Sequence, residues 1–139
     1  MFKLKSDLNF LGDLMENQNI AIIGLNNVGT EFFKAMVELK NKGVNVMGVS
    51  ENVFTEGSQL AQTLGINNMS IEKIIDMGEQ LDIIFDLTGD REVRKQLRKT
   101  LFSSRNQHTV IAPESIARLM YTMIDDKDLP VVEDHSMGY

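Results

Sequence analysis

Residues Asn19 to Thr30, N-I-A-I-I-G-L-N-N-V-G-T, constrain the fold more than any other stretch of the chain. A short apolar run leads into two glycines five positions apart, Gly24 and Gly29, and Gly29 stands at the start of an amphipathic segment. An unbroken apolar run such as Ile20 to Ile23 is what a strand covered on both faces requires. Gly24 suits the tight turn leaving such a strand, and Gly29 suits close packing of the next helix against it. Together they predict strand, turn and helix in succession, the opening unit of a parallel α/β sheet.

The same alternation runs on. Val28, Phe32, Phe33, Met36, Val37 and Leu39 mark the buried stripe of a helix from about Asn27 to Lys42, and Gly43 can end it in a left-handed cap. Val44 to Val49 reads as a second strand, and Thr55 caps a helix over Glu56 to Leu64 that Gly65 closes. Ile66 to Met69 is a short third strand, Ser70 starts another helix that Gly78 ends, and Leu81 to Leu87 is a fourth strand. A basic helix from about Glu92 to Ser103, a fifth strand from His108 to Ala112, and a helix from Ser115 to Ile124 complete the series, with Pro113 at a first-turn position. Ile116, Leu119, Met120 and Met123 mark the expected core side of that last helix.

This pattern predicts an α/β domain built on a single doubly wound parallel sheet, Rossmann-like, with strand order 3-2-1-4-5. Leu4, Leu8, Leu11, Leu14 and Met15 recur at helical spacing, so residues 1–17 form an additional N-terminal amphipathic helix. Residues 18–126 make the domain itself, and 127–139 are a polar tail. The whole, at 139 residues, has room for one core but not for a second, substrate-binding domain.

Charge and composition narrow the function classes. A net charge of −6 argues against general nucleic-acid binding, which needs a basic face. The basic stripe of Arg91, Arg94, Lys95, Arg98 and Lys99 reads first as a solvated helix face and second as an anion surface. No apolar run reaches the roughly 18 residues of a membrane span, and no signal-peptide pattern heads the chain, so a soluble cytoplasmic protein is expected. The absence of cysteine removes thiolate nucleophiles, thiolate metal sites and disulfides. His108 and His135 lie 27 positions apart and make no metal constellation. Glu114 and Ser115 fall beside the carboxyl ends of the strands, yet no nucleophile, base and orienting group come together, so no catalytic residue is assigned.

Ligands of such sheets sit beyond the carboxyl ends of the strands, where the strand order reverses. Gly24, Asn26, Asn27, Val28 and Gly29 would form a phosphate-binding turn at a helix N-terminus. The dinucleotide fingerprint G-x-G-x-x-G has a glycine where this chain has Asn26, which can take up a left-handed backbone but projects a side chain toward the pyrophosphate position. Glu51 follows the second strand, 22 positions after Gly29, where a carboxylate accepts hydrogen bonds from ribose hydroxyls and repels a 2′-phosphate. Thr88 and Gly89, in the turn after Asp86, complete the cofactor-binding set, and Asp86 stands between a ligand contact and a capping role. The expected cofactor is NAD in preference to NADP.

Taken together, I-A-I-I-G-L-N-N-V-G, V-M-G-V-S-E and L-D-I-I-F-D-L-T-G-D resemble the N-terminal NAD(P)-binding domain of homoserine dehydrogenase and related oxidoreductases. The segments Asp86 to Asp90 and Ile116 to Tyr121 resemble the Rossmann-type sensory domains that head some bacterial signalling proteins, among them sensor histidine kinases. The first resemblance implies a dinucleotide-binding fold. The second implies a domain that senses a ligand and signals.

The leading functional expectation is a non-catalytic NAD-responsive regulatory module acting through a signalling partner or its own homodimer. The alternatives are the cofactor-binding half of a small NAD-dependent oxidoreductase, and an interaction domain that retains a vestigial nucleotide site.

Overall fold

A computed structural model describes residues 17–125. The predicted N-terminal helix up to residue 16 and the whole of the polar tail, 127–139, with His135, lie outside the described residues. The elements are β1 (Gln18–Ile23), α1 (Asn27–Val37), β2 (Val44–Ser50), α2 (Glu56–Leu64), α3 (Ile71–Asp76), β3 (Ile83–Asp86), α4 (Arg91–Ser103), β4 (Val110–Pro113) and α5 (Glu114–Asp125). All strands are parallel, in the order β2-β1-β3-β4.

Period-two alternation along β1 explains why the sheet is covered on both sides. Ile20 and Ile22 enter one core with Phe32, Phe33 and Met36 of α1, Ala61 of α2 and Ala117 and Tyr121 of α5. Ala21 and Ile23 enter the opposite core with Ile74 and Ile75 of α3 and Leu97 of α4. The Phe32 and Phe85 rings pack tilted, 4.7 Å between centroids, and anchor α1 to β3.

Several sequence expectations change in detail. The third strand expected at Ile66 to Met69 is reduced to a single parallel bridge between Val49 and Asn68, so the sheet has four strands rather than five. Ser70 explains this: its hydroxyl oxygen caps α3 by accepting from the Lys73 N–H, which turns the chain away from the sheet after one rung. The first helix stops at Val37 rather than Lys42, and a short 3-10 turn at Lys40–Lys42 leads to Gly43, left-handed at φ 91°. On α5 the buried positions are Ala117 and Tyr121, whereas Leu119 and Met123, expected in the core, are 60% and 73% exposed.

Register places the site. Ala21 opposes Gly48 although Ile20 opposes Val46, so Met47 is an extra residue in β2. Beyond it Ile23 lies level with Ser50 and with Asp86, and Asp86 with Pro113. All four strands therefore end on one line.

Candidate functional site

Just past that line, the Gly24 N–H donates to the Ser50 carbonyl (2.8 Å) and the Leu87 N–H to the Ile23 carbonyl (2.8 Å), drawing three loops together. Gly24 has φ 96°, and a Cβ there would lie 2.9 Å from the Leu87 carbonyl carbon and the Thr88 nitrogen. A Cβ at Gly29 would overlap the Gly24 carbonyl. Both glycines are thus required by backbone approach, one to the β3–α4 turn and one to the β1–α1 turn. The Thr30 hydroxyl donates to the Leu25 carbonyl (3.0 Å) and fixes the turn from beneath.

Asn26 is extended, at φ −74° and ψ −161°, and does not adopt the left-handed backbone open to it. It is the N-cap of α1: its Oδ1 accepts from the Gly29 N–H (3.0 Å), and its Nδ2 reaches the Leu87 carbonyl at 3.4 Å. The side chain therefore spans the mouth between α1 and the β3–α4 turn. Of the first N–H groups of the helix, Gly29 is taken by this cap and Thr30 by the Asn26 carbonyl. The Asn27 and Val28 amides have no acceptor among the described residues, and the helix dipole adds to their pull on an anion.

Glu51 faces this turn from the end of β2. Its Oε1 accepts from the Leu25 N–H (2.7 Å) and its Oε2 from the Val53 N–H (3.1 Å). Two carboxylate oxygens offer about four acceptor sites, so capacity for further hydroxyl donors remains. Asn68 holds the Glu51 backbone, accepting from its N–H at 2.9 Å and donating to its carbonyl at 3.0 Å. Sequence reasoning missed Asn68, because a side chain standing in for a ladder bond leaves no spacing signature.

On the far side, Asp86 is buried and works inside its own turn. Its Oδ1 accepts from the Thr88 N–H (3.1 Å) and hydroxyl (2.7 Å), and that hydroxyl accepts from the Asp90 N–H (3.1 Å). Burial raises the Asp86 carboxyl above its ordinary range, partly offset by the Thr88 donors and by Arg94. Gly89 is left-handed at φ 68°, with open space where a Cβ would stand. Asp90 caps α4 by accepting from the Glu92 N–H (2.9 Å).

These loops enclose a crevice of about 320 Å3 lined by Gly24, Asn26, Ser50, Glu51, Thr88 and Asp90 among others. A larger cleft of about 500 Å3 adjoins it through Glu51 and Asn52. Every lining residue of the crevice is neutral or acidic, so a phosphate placed there would have the helix amides rather than lining cations to meet it. The predicted residues Gly24, Asn26, Glu51 and Thr88 converge on this crevice, Asn27 and Val28 present their amides at the head of α1 beside it, and Gly89 lies on the adjoining turn. Of the basic stripe, Arg94 acts on the Asp86 carboxyl beside the crevice, whereas Arg91, Lys95, Arg98 and Lys99 are exposed along α4. His108 bonds Asp82 at the opposite end of the sheet. Glu114 holds Arg118 within α5, Nε to Oε2 2.9 Å. No cluster of three or more metal-ligating side chains occurs among the described residues, and no helix among them is long and apolar enough to cross a membrane.

Parallel order, helices on both faces and a glycine-supported turn into a helix define a Rossmann-like architecture. Solved structures agree on the fold. Homoserine dehydrogenase of S. aureus at pH 7.5 matches with a TM-score of 0.56 at 17% identity, over 81% of this chain and 30% of that one. The same enzyme at pH 8.5 matches with a TM-score of 0.54, again at 17% identity over 81% of this chain and 30% of that one. This chain therefore spans about a third of the length of the enzyme it resembles. No family model matches the chain, and the curated proteins yield no similar sequence.

Proposed function

We propose that this domain is a non-catalytic module that binds an NAD-type dinucleotide at the carboxyl edge of its sheet and passes that occupancy to a partner. The observation that carries the reading is the meeting, in one crevice, of the Gly24–Gly29 turn and the Glu51 carboxylate, with the Asn27 and Val28 amides at its edge. The amides suit the pyrophosphate, and the remaining acceptor sites of Glu51 suit ribose hydroxyls. An acidic and neutral lining disfavours the added 2′-phosphate of NADP.

The preference for binding over turnover rests on the residues around the crevice. Thr88, Asp86 and Asp90 are engaged with one another, and among the described residues no nucleophile and base face each other across the opening. The structural likeness speaks for the fold of an oxidoreductase cofactor domain; the sensory resemblance rests on the sequence segments Asp86 to Asp90 and Ile116 to Tyr121 alone. Output through a second copy of the chain is supported by Leu119 and Met123, two large apolar side chains held in solvent one helical turn apart on α5. Calorimetric titration with NAD, NADH, NADP and NADPH tests the reading: binding of NAD or NADH with weaker binding of the 2′-phosphorylated forms supports it, and no heat from any of the four refutes it.

An oxidoreductase half-site is the second reading, favoured by the homoserine dehydrogenase likeness. It requires nicotinamide turnover once a substrate-bearing partner is supplied.

A further inference from the structure

We infer that Asn68 is a positioning residue for Glu51, an inference resting on the reading of Glu51 as the ribose-binding carboxylate. The backbone around Asn68 pairs with β2 at one residue only. The Val49 N–H donates to the Asn67 carbonyl (2.9 Å), and the Met69 N–H donates to the Val49 carbonyl (2.8 Å). In a continuing parallel ladder the next rung would fall at Glu51, with backbone groups two residues further along the neighbouring segment. Those groups are gone, because Ser70 caps α3 and the chain enters the helix at Ile71.

The Asn68 side chain supplies that rung instead. Its Oδ1 accepts from the Glu51 N–H and its Nδ2 donates to the Glu51 carbonyl, at 2.9 and 3.0 Å. A side-chain amide carries an acceptor and a donor on one planar group, which reproduces the pair a backbone peptide would offer. With its backbone held on both sides, Glu51 projects its carboxylate back to the Leu25 N–H at 2.7 Å. One exposed side chain thereby sets where the carboxylate stands relative to the turn.

Amide exchange by NMR on the full chain reads this without any ligand. In Asn68→Ala the Leu25 N–H should exchange roughly tenfold faster, while the Leu87 N–H, bonded to Ile23 in the same sheet, keeps its protection. Asn68→Asp, which keeps the acceptor and loses the donor, should fall between Ala and the native residue. Unchanged Leu25 protection in both variants, or an equal rise at Leu25 and Leu87, overturns the inference. Titration supplies the second readout. Asn68→Ala should weaken NAD roughly fivefold, leave inorganic pyrophosphate unchanged, and add nothing to the loss already present in Glu51→Gln. A full additional loss in that background overturns the inference. If the native chain binds neither NAD nor pyrophosphate, the functional reading falls, and the exchange rates still decide the role of Asn68.

Discussion

Asn26 stands where a dinucleotide fingerprint carries a glycine, and the structure gives it a task that glycine cannot perform. Its Oδ1 caps α1 at the Gly29 N–H, while its Nδ2 reaches toward Leu87 across the mouth of the crevice. On the proposed reading, stability and ligand access are therefore set against each other at one side chain. Asn26→Ala should lower stability by about 1 kcal/mol through the lost cap, and Asn26→Gly by only about a few tenths, both measured by urea denaturation. Asn26→Gly should also tighten NAD binding by clearing the crevice mouth; weaker binding in that variant would mean that the amide holds the ligand rather than shielding the site. Gly29 carries the opposite constraint. A methyl group there meets the Gly24 carbonyl, so Gly29→Ala should cost about 3 kcal/mol, and a cost near zero in denaturation would show that the turn relaxes freely.

Element starts and stops were legible in the sequence wherever the signal is local. Thr55 and Ser70 cap α2 and α3, and Gly43 and Gly65 take left-handed conformations, because capping depends on a few adjacent residues. Signals depending on the surrounding sheet were not legible. Ile66 to Met69 has strand composition, but the helix starting at Ile71 leaves it one pairing position. Of the stripe Ile116, Leu119, Met120 and Met123, Met120 packs against the core as its helical period suggests, yet the buried positions of α5 are Ala117 and Tyr121, since a small residue at the closest approach does not stand out in a hydrophobic pattern. The candidate site divides in the same way. Gly24, Gly29 and Glu51 have spacings that reveal them, whereas Asn68 acts through a contact 17 residues away in sequence.

Strand starts are tied by a second network. The Asp82 carboxylate accepts from the Asn19 N–H at 2.8 Å and meets His108 at 2.6 Å, joining the leading ends of β1, β3 and β4. The Asn19 N–H first, and His108 after it, hold the Asp82 carboxyl below its ordinary value of 3.8. A lowered folded value means that the stabilisation is complete above pH 3.8 and is lost as pH falls through the lower folded pKa. Asp82→Asn should therefore cost about 1 kcal/mol at pH 7, with the gap to the native chain narrowing below pH 4 in denaturation curves. A gap that stays constant down to pH 2 would show that Asp82 acts by shape alone. Asp86 has the opposite sign, since its raised carboxyl makes ionisation costly in the folded state, and its share of stability declines as pH rises through that raised value.

At the scale of the molecule, one edge of the sheet carries the crevice, and α5 carries a run of exposed apolar side chains, Leu119 and Met123 among them. If α5 is the output surface, Leu119→Glu with Met123→Glu should convert a self-associating species to monomer without loss of fold, as read by sedimentation equilibrium. Unchanged mass would assign those side chains no role in self-association. On the proposed reading, the crevice's acidic and neutral lining, the helix amides beside it and the Glu51 carboxylate would suit an NAD-type dinucleotide and would oppose a 2′-phosphate.

The most direct measurement is a parallel calorimetric titration of the native chain and Glu51→Gln with NAD and with NADP. The account predicts that the native chain prefers NAD by roughly tenfold or more, and that the preference collapses in Glu51→Gln as the repelling charge is removed. Equal affinity for the two dinucleotides in the native chain, or binding of neither, would contradict it.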